Sequence, residues 1–223
     1  MPLRMSQSKL SGSQFDDLLA LGYRRYGPLV YRTQCPQCQE CEAIRIPVSE
    51  FAPRRTMART FRKGNEAFRT TFGEPQVDEE RVRLFNKHRN ERELNRRDST
   101  FTDSDYAFWF IESCTKTIEI AYHFEGKLVG VAICDLGERS LSAVYTFYDP
   151  DFEPFSLGTF SVLHQWQRCQ QWNFEYLYLG FYVAGSPHMR YKARFQPHER
   201  LVGGCWRRDD DVDITSLTGC ELS

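Results

Sequence analysis

At 223 residues, with 41% hydrophobic and 14% aromatic side chains, the chain has apolar surface for a substantial core and too much of it for disorder. A net charge of −1 excludes a uniform polycation, and no apolar run reaches the ~18 residues that would suggest a membrane-spanning helix. The opening "MPLRMSQSKLSGSQF" lacks the apolar centre of an export signal, so a cytoplasmic location with reduced thiols is expected for the eight cysteines.

Residues 13–22, "SQFDDLLALG", predict a short helix with Phe15, Leu18 and Leu19 on one face and Gly22 ending it. "PLVYRT" and "CEAIRIPVSEF" predict extended segments on either side of a turn that carries Cys35, Cys38 and Cys41. Three thiols at three-residue spacing suit zinc or an iron–sulfur cluster, but a closed site needs a fourth ligand. The nearest histidine in sequence is His88, and a thiol-rich turn without metal fits the spacing as well.

From residue 52 to 97, thirteen Lys or Arg face seven acids, an excess that could meet a polyanion such as RNA or could merely solvate two helices. Within it "TMARTFRKGNEAF" reads as a weak basic helix interrupted by Gly64, and "TTFGEPQ" as a linker. "DEERVRLFNKHRNERELNRR" predicts a helix burying Val82, Phe85 and Leu94, and "SDYAFWFIESC" a second, mostly buried one capped by Ser104.

Three strands follow, "IEIAYHF", "KLVGVAICDL" and "LSAVYTFYDP", the first two joined by a tight Glu125-Gly126 turn. A helix from Ser156 with Val162, Leu163, Trp166 and Cys169 as its apolar stripe leads into "FEYLYLGFYV", a strand apolar enough to be buried on both faces. A meander feeding a β–α–β unit predicts an α/β (α+β) fold with an acetyltransferase-like mixed sheet flanked by helices. A smaller cysteine-containing region precedes it, giving domains at 1–75 and 76–223.

"FYDPD" ends a strand just before a helix N-terminus, which makes Asp149 and Tyr148 candidates to meet a reacting group. The glycine-rich basic turn that would cradle coenzyme A is missing from "FEPFSLGTF", which argues against that donor. In "YLYLGFYVAGSPHMRYKARFQPHERL", a short basic helix follows a buried strand. There Lys192 and Arg194 could hold an anion and Tyr178, Tyr182 and Tyr191 could line a pocket. No P-loop, dinucleotide fingerprint or nucleophile elbow is present.

The ordered set "GYRRYGPLVYRTQCPQCQECEAIRIPVSEFAPRRTMAR", "LFNKHRNER", "LSAVYTFYDPDFEPFSLGTFSVL" and "YLYLGFYVAGSPHMRYKARFQPHERLVGGCW" resembles the aminoacyl-tRNA–protein transferases of the N-degron pathway, in their bacterial branch. The resemblance covers nearly the whole chain. It implies transfer of an amino acid, Leu in this branch or Arg in the eukaryotic one, from aminoacyl-tRNA to the α-amine of proteins beginning with Asp or Glu. Expected partners are therefore aminoacyl-tRNA and such proteins, with no membrane and a monomeric enzyme.

The family usually carries a further cysteine segment ahead of the first helix, so a fourth ligand is expected upstream of Met1 if the loop of Cys35, Cys38 and Cys41 holds metal. No cofactor is required for the transfer itself. Asp149 is the candidate base or amine-orienting group, and Tyr148 or Tyr178 the oxyanion donor. Arg24, Arg25, Arg32 and Lys192 are the candidate partners of the acidic first side chain, Arg offering the bidentate fit. A non-catalytic tRNA-binding metal module is the rival reading.

Overall fold

The structure, a computed structural model, describes residues 3–5, 9–94 and 100–208. Strand β1 (Leu3–Met5), helix α1 (Gly12–Ala20), and strands β2 (Arg24–Tyr26) and β3 (Leu29–Tyr31) open the chain, with the strands forming a small sheet in the order β1-β3-β2. Ser11 and Gln14 close a capping box at the start of α1. Asp16 of α1 accepts hydrogen bonds from the Glu138 and Arg139 amides and the Ser140 hydroxyl, fastening this layer to the main sheet.

The main sheet has eight strands: β4 (Glu42–Pro47), β5 (Arg69–Gly73), β6 (Lys116–Phe124), β7 (Lys127–Leu136), β8 (Ser140–Tyr148), β9 (Tyr176–Tyr182), β10 (Glu199–Val202) and β11 (Cys205–Arg208). Their order is β11-β10-β4-β9-β8-β7-β6-β5. Every neighbouring pair is antiparallel except β8 with β9, which run parallel because α5 (Leu157–Gln171) crosses between them.

Alternation along the strands feeds two cores on opposite faces. On one, Ile120, Tyr122, Leu177 and Leu179 meet α5 and α2 (Arg55–Ala67). On the other, Ala121, Val131, Ile133 and Phe147 meet α3 (Glu79–Glu91) and α4 (Asp103–Tyr106), where Phe85 makes edge contacts with Phe101, Tyr106, Phe110, Tyr145 and Phe147.

Several expectations are corrected. The linker expected at "TTFGEPQ" is largely edge strand β5, paired to β6. β4, from the N-terminal part, lies between β9 and β10, so one sheet crosses the expected 75/76 division. Gly64 does not interrupt α2: a side chain there would collide with the Phe160 ring of α5, so glycine permits the close helix contact. The cap of α4 is Thr102, boxed with Asp105, and Ser104 is the second residue of the helix. Beyond Tyr106 the helix widens into a π turn, Ala107–Ile111.

The α3 helix ends at Glu91, short of the predicted extent, whose last residues lie outside the described ones. Ser156 adopts a left-handed conformation ahead of α5 and makes no side-chain cap. The basic excess also divides. Residues 54–69 carry six cations and one acid, residues 78–93 five of each, and the helices of these two stretches lie on opposite faces of the sheet.

Candidate active site

Parallel pairing of β8 with β9 lasts only from Ser140 and Tyr176 to Ser142 and Tyr178, after which the strands separate into a fork. Both strands are irregular at that point. Opposite Ile133 and Cys134, β8 takes an extra residue between Ala143 and Tyr145, and the register of β9 against β4 shifts at Ile44/Arg45. A bulge of this kind leaves one residue of β8 unpaired against β7 and bends the strand, while on its other edge β8 has no ladder partner once β9 has parted from it.

Two cations fill the base of the fork. Arg24, only 7% exposed, donates from Nη2 to the Ala143 carbonyl at 2.8 Å, while its buried Nη1 has no partner. Lys192, on a 3₁₀ turn at Arg190–Arg194, donates from Nζ to the Phe181 carbonyl at 2.6 Å. Both lie against Gly180 of β9, at a φ of +91°. A Cβ there would come within 3.2 Å of Arg24 Nη2 and 3.5 Å of Lys192 Nζ, so glycine makes room for both heads. Desolvation, then repulsion from Arg24, pulls the Lys192 ammonium down to about 7. Among the described residues neither cation has an acidic side chain within ion-pair distance. Unpaired buried cations are costly, and an incoming anion would relieve that cost.

Of the other predicted acid-binding residues, Arg25 is corrected. Its Nε meets Asp135 at 2.7 Å with both side chains fully buried, and Nη1 donates to the carbonyls of Gly27, Trp109 and Glu112. It locks the small sheet to β7 and has no path to a substrate. Arg32 sits apart, over the Tyr23 ring, on an open groove of about 550 Å³ that the cysteine loop also lines.

Asp149 is also placed differently from its expected role. Burial raises its pKa, but hydrogen bonds from Lys87 at 2.6 Å, the Asp151 amide and Lys127 at 3.1 Å outweigh that and hold the carboxylate ionised. A carboxylate shared between two ammonium groups is a weak proton acceptor, and here it ties α3 to the end of β8. The Tyr178 ring packs against Trp206 in the cluster beneath α1, and its hydroxyl accepts from Arg45, which removes it from the fork.

The Tyr148 hydroxyl accepts from Arg92, and its ring faces His88, whose pKa burial pushes down to about 4. Tyr191 lies near Tyr148, Tyr145 and Arg92; its ring is 38% exposed, while burial of the hydroxyl end pushes the phenol up. The structure thus brings Tyr145, Tyr148, Tyr191 and Arg92 together, and of these Tyr148 and Tyr191 were candidates from the sequence.

Cys35 and Cys38 are exposed and Cys41 half-buried, the last pushed up by burial and by its two neighbours' charges. The three thiols share one loop, but among the described residues no three His, Cys, Asp or Glu side chains converge tightly enough to hold an ion. The loop as arranged therefore does not fit a metal, and no chemical step is assigned to one. Cys114, Cys134 and Cys169 are buried free thiols, small apolar side chains in effect.

A meander followed by a β–α–β unit that splays around polar groups, with a bulged strand on one side, defines an acetyltransferase-type acyl-transfer fold. Solved structures agree at the level of fold. The C-terminal domain of a putative lysylphosphatidylglycerol synthetase from Agrobacterium fabrum superposes with a TM-score of 0.51 at 14% identity, covering 71% of this chain and 53% of that one. FemX gives 0.52 at 10% identity, covering 81% and 63%.

Residues 2–59 match the family described as arginine-tRNA-protein transferase, N terminus, and residues 80–202 its C terminus. The chain belongs to the arginine-tRNA–protein transferase family and is an aminoacyltransferase. Within it, the chain is 36% identical over 207 residues to the aspartate/glutamate leucyltransferase of Halorhodospira halophila, covering 91% of this chain and 86% of that one. To the enzyme of the same name from Vibrio cholerae, strain O395, it is 37% identical over 195 residues, covering 86% and 82%.

Proposed function

We propose that the protein transfers leucine from leucyl-tRNA to the α-amine of proteins that begin with Asp or Glu, acting as a monomer in the cytoplasm. The observation that carries this reading is the pair Arg24 and Lys192 at the base of the fork, the first buried and the second half-buried, close together and without an ion-pair partner among the described residues. The carboxylate of a first Asp or Glu side chain supplies that counter-charge. Its two oxygens take the free Nη1 of Arg24 and the Lys192 ammonium, each a charge-assisted bond. A neutral first residue would leave both cations unpaired, Arg24 in a buried setting, so selectivity has a physical source.

With the first residue seated there, its α-amine faces the mouth of the fork, where the aminoacyl ester enters over the bulge of β8. The amine nitrogen attacks the ester carbonyl, and the bulge amide donates to the oxyanion in place of Tyr148 or Tyr178. Collapse breaks the bond to the terminal ribose oxygen, which takes up a proton as the nitrogen loses one. The ester is already activated, and an α-amine with a pKa near about 7.7–8.0 is partly neutral unaided, so alignment supplies most of the acceleration. This chemistry calls on no cofactor.

Charged tRNA bearing labelled Leu or Arg, offered with peptides that begin with Asp, Glu or Ala, tests the reading. Leucine should label the acidic peptides and spare the Ala peptide. Equal labelling of the Ala peptide would remove the carboxylate seat, and preferred labelling from arginyl-tRNA would remove the assigned donor. Elemental analysis of the purified protein examines the cysteine loop, where near-stoichiometric zinc or iron would show that the loop closes around an ion.

A further inference from the structure

The 3₁₀ turn that presents Lys192 to the fork also builds a second site on its other side. Arg190 and Arg194 project there, and with Arg54, Thr56 and Gln196 over the floor of Met57 they line an open groove of about 380 Å³. No acidic residue lines it. Arg54 donates to the Gln196 side chain, joining the two walls. Arg54 is also the residue from which α2 starts, and no side chain caps that end, so the first amides of the helix remain free to donate. Exposed cations continue the charge along α2 at Arg55, Arg59, Arg62 and Lys63.

Three guanidinium groups, a hydroxyl and a free helix end around one concavity make a seat for a tetrahedral oxyanion, and guanidinium matches phosphate oxygens in pairs. The same short turn carries Lys192, so the groove and the fork adjoin through one element. An acidic peptide would meet the same charges, but the linear run of cations along α2 suits a repeating anion. We propose that this groove seats a backbone phosphate in the single-stranded 3′ end of the tRNA, next to the esterified ribose in the fork. The proposal rests on the leucyl-transfer reading for the identity of the nucleic acid. The groove positions the ester through the strand that carries it, and its arginines are positioning residues.

The test measures binding of deacylated tRNA to the full chain across a range of salt, using intact tRNA and tRNA trimmed of its 3′ single strand. The double variant R190Q/R194Q should bind intact tRNA about tenfold more weakly at low salt, as expected for lost charged contacts. Its slope of log affinity against log salt should be shallower by about 0.7 for each phosphate released. Trimming should produce the same loss in the wild type and no further loss in the variant.

An unchanged slope in the variant, or an equal variant effect on trimmed and intact tRNA, would overturn the proposal. If the double variant melts early, R54Q and T56A carry the same measurement from the other wall. Leucyl transfer by the wild type at saturating tRNA is scored separately. Its absence would remove the functional reading, while the binding slopes alone decide the groove.

Discussion

Arg24 and Arg25 are neighbours on one short strand, yet they serve two unlike regions of the molecule. Arg25 enters a closed junction where the Asp135 carboxylate takes its Nε and three carbonyls share its Nη1, with Nη2 buried and left over. Arg24 enters the fork, where one carbonyl is its hydrogen-bond partner and a second cation lies beside it. The closed junction spends its charge on holding two layers together, whereas the fork keeps charge in reserve. The contrast teaches that burial alone does not mark a functional cation, nor does a spare donor, which both arginines have; what marks it is burial without an ion-pair partner.

The largest expected effect lies on the closed side. Replacing Arg25 by Met strands Asp135 in the core and should lower the unfolding free energy by about 3–5 kcal/mol. Denaturant titration reads this directly, and a midpoint close to wild type would show that the junction is not what holds the layers. Replacing Arg24 by Met should leave that midpoint nearly in place. It should reduce kcat/KM for Asp-initiated peptides by about 1.5–3 kcal/mol in transition-state terms. An equal loss with a neutral-initiated peptide would move Arg24 out of the carboxylate seat and blur the two regions.

A smaller effect separates Asp149 from catalysis. Asp149→Asn weakens its links to Lys87 and Lys127, so a loss of about 1–2 kcal/mol in stability is expected, with kcat at saturating substrates within about tenfold of wild type. A fall of about 10²–10⁴ in kcat would instead restore it as the general base.

The finest distinction is in pH. With Lys192 at about 7, its charge disappears as pH rises through that value, while the acceptor amine becomes a nucleophile as pH rises through about 7.7–8.0. For acidic peptides kcat/KM should therefore describe a narrow bell, and Lys192→Met should abolish the alkaline fall. Stability changes in the opposite sense. Between about pH 7 and the ordinary lysine range the unfolded chain binds more protons than the folded one, so wild-type stability climbs with pH there. The Met variant should lose that climb in pH-dependent melting.

Local pattern made much of this fold legible. β6, β7 and β8 were readable as three consecutive strands, an unbroken apolar run marked β9, and Glu125-Gly126 marked the first hairpin. The Gly203-Gly204 pair between β10 and β11 is an equally plain hairpin signal. Gly180 was another such signal, since an isolated glycine within an apolar strand marks a close approach.

The fates of Arg24 and Arg25 could not be read the same way. They depend on Asp135, 110 residues from Arg25, and on where β8 parts from β9, and neither leaves a mark in the residues beside them. Asp149 misled for a related reason: its position at a strand end was right, but its partner Lys87 lies 62 residues earlier on a helix that local pattern could not dock.

The place of β4 in the sheet has a consequence for how the protein comes into being. It is made early, yet both of its neighbours, β9 and β10, are among the last described strands to leave the ribosome. Arg24 likewise waits for Gly180 and Lys192. A nascent chain that ends before residue 176 thus holds β4 with neither neighbour, and one that ends before residue 192 has an acceptor seat without its lysine. Until β9 and the turn that carries Lys192 have emerged, the proposed carboxylate seat cannot form. Arrested chains of increasing length should become protease-resistant in one late step, and gradual protection from the N-terminus onward would argue against that order.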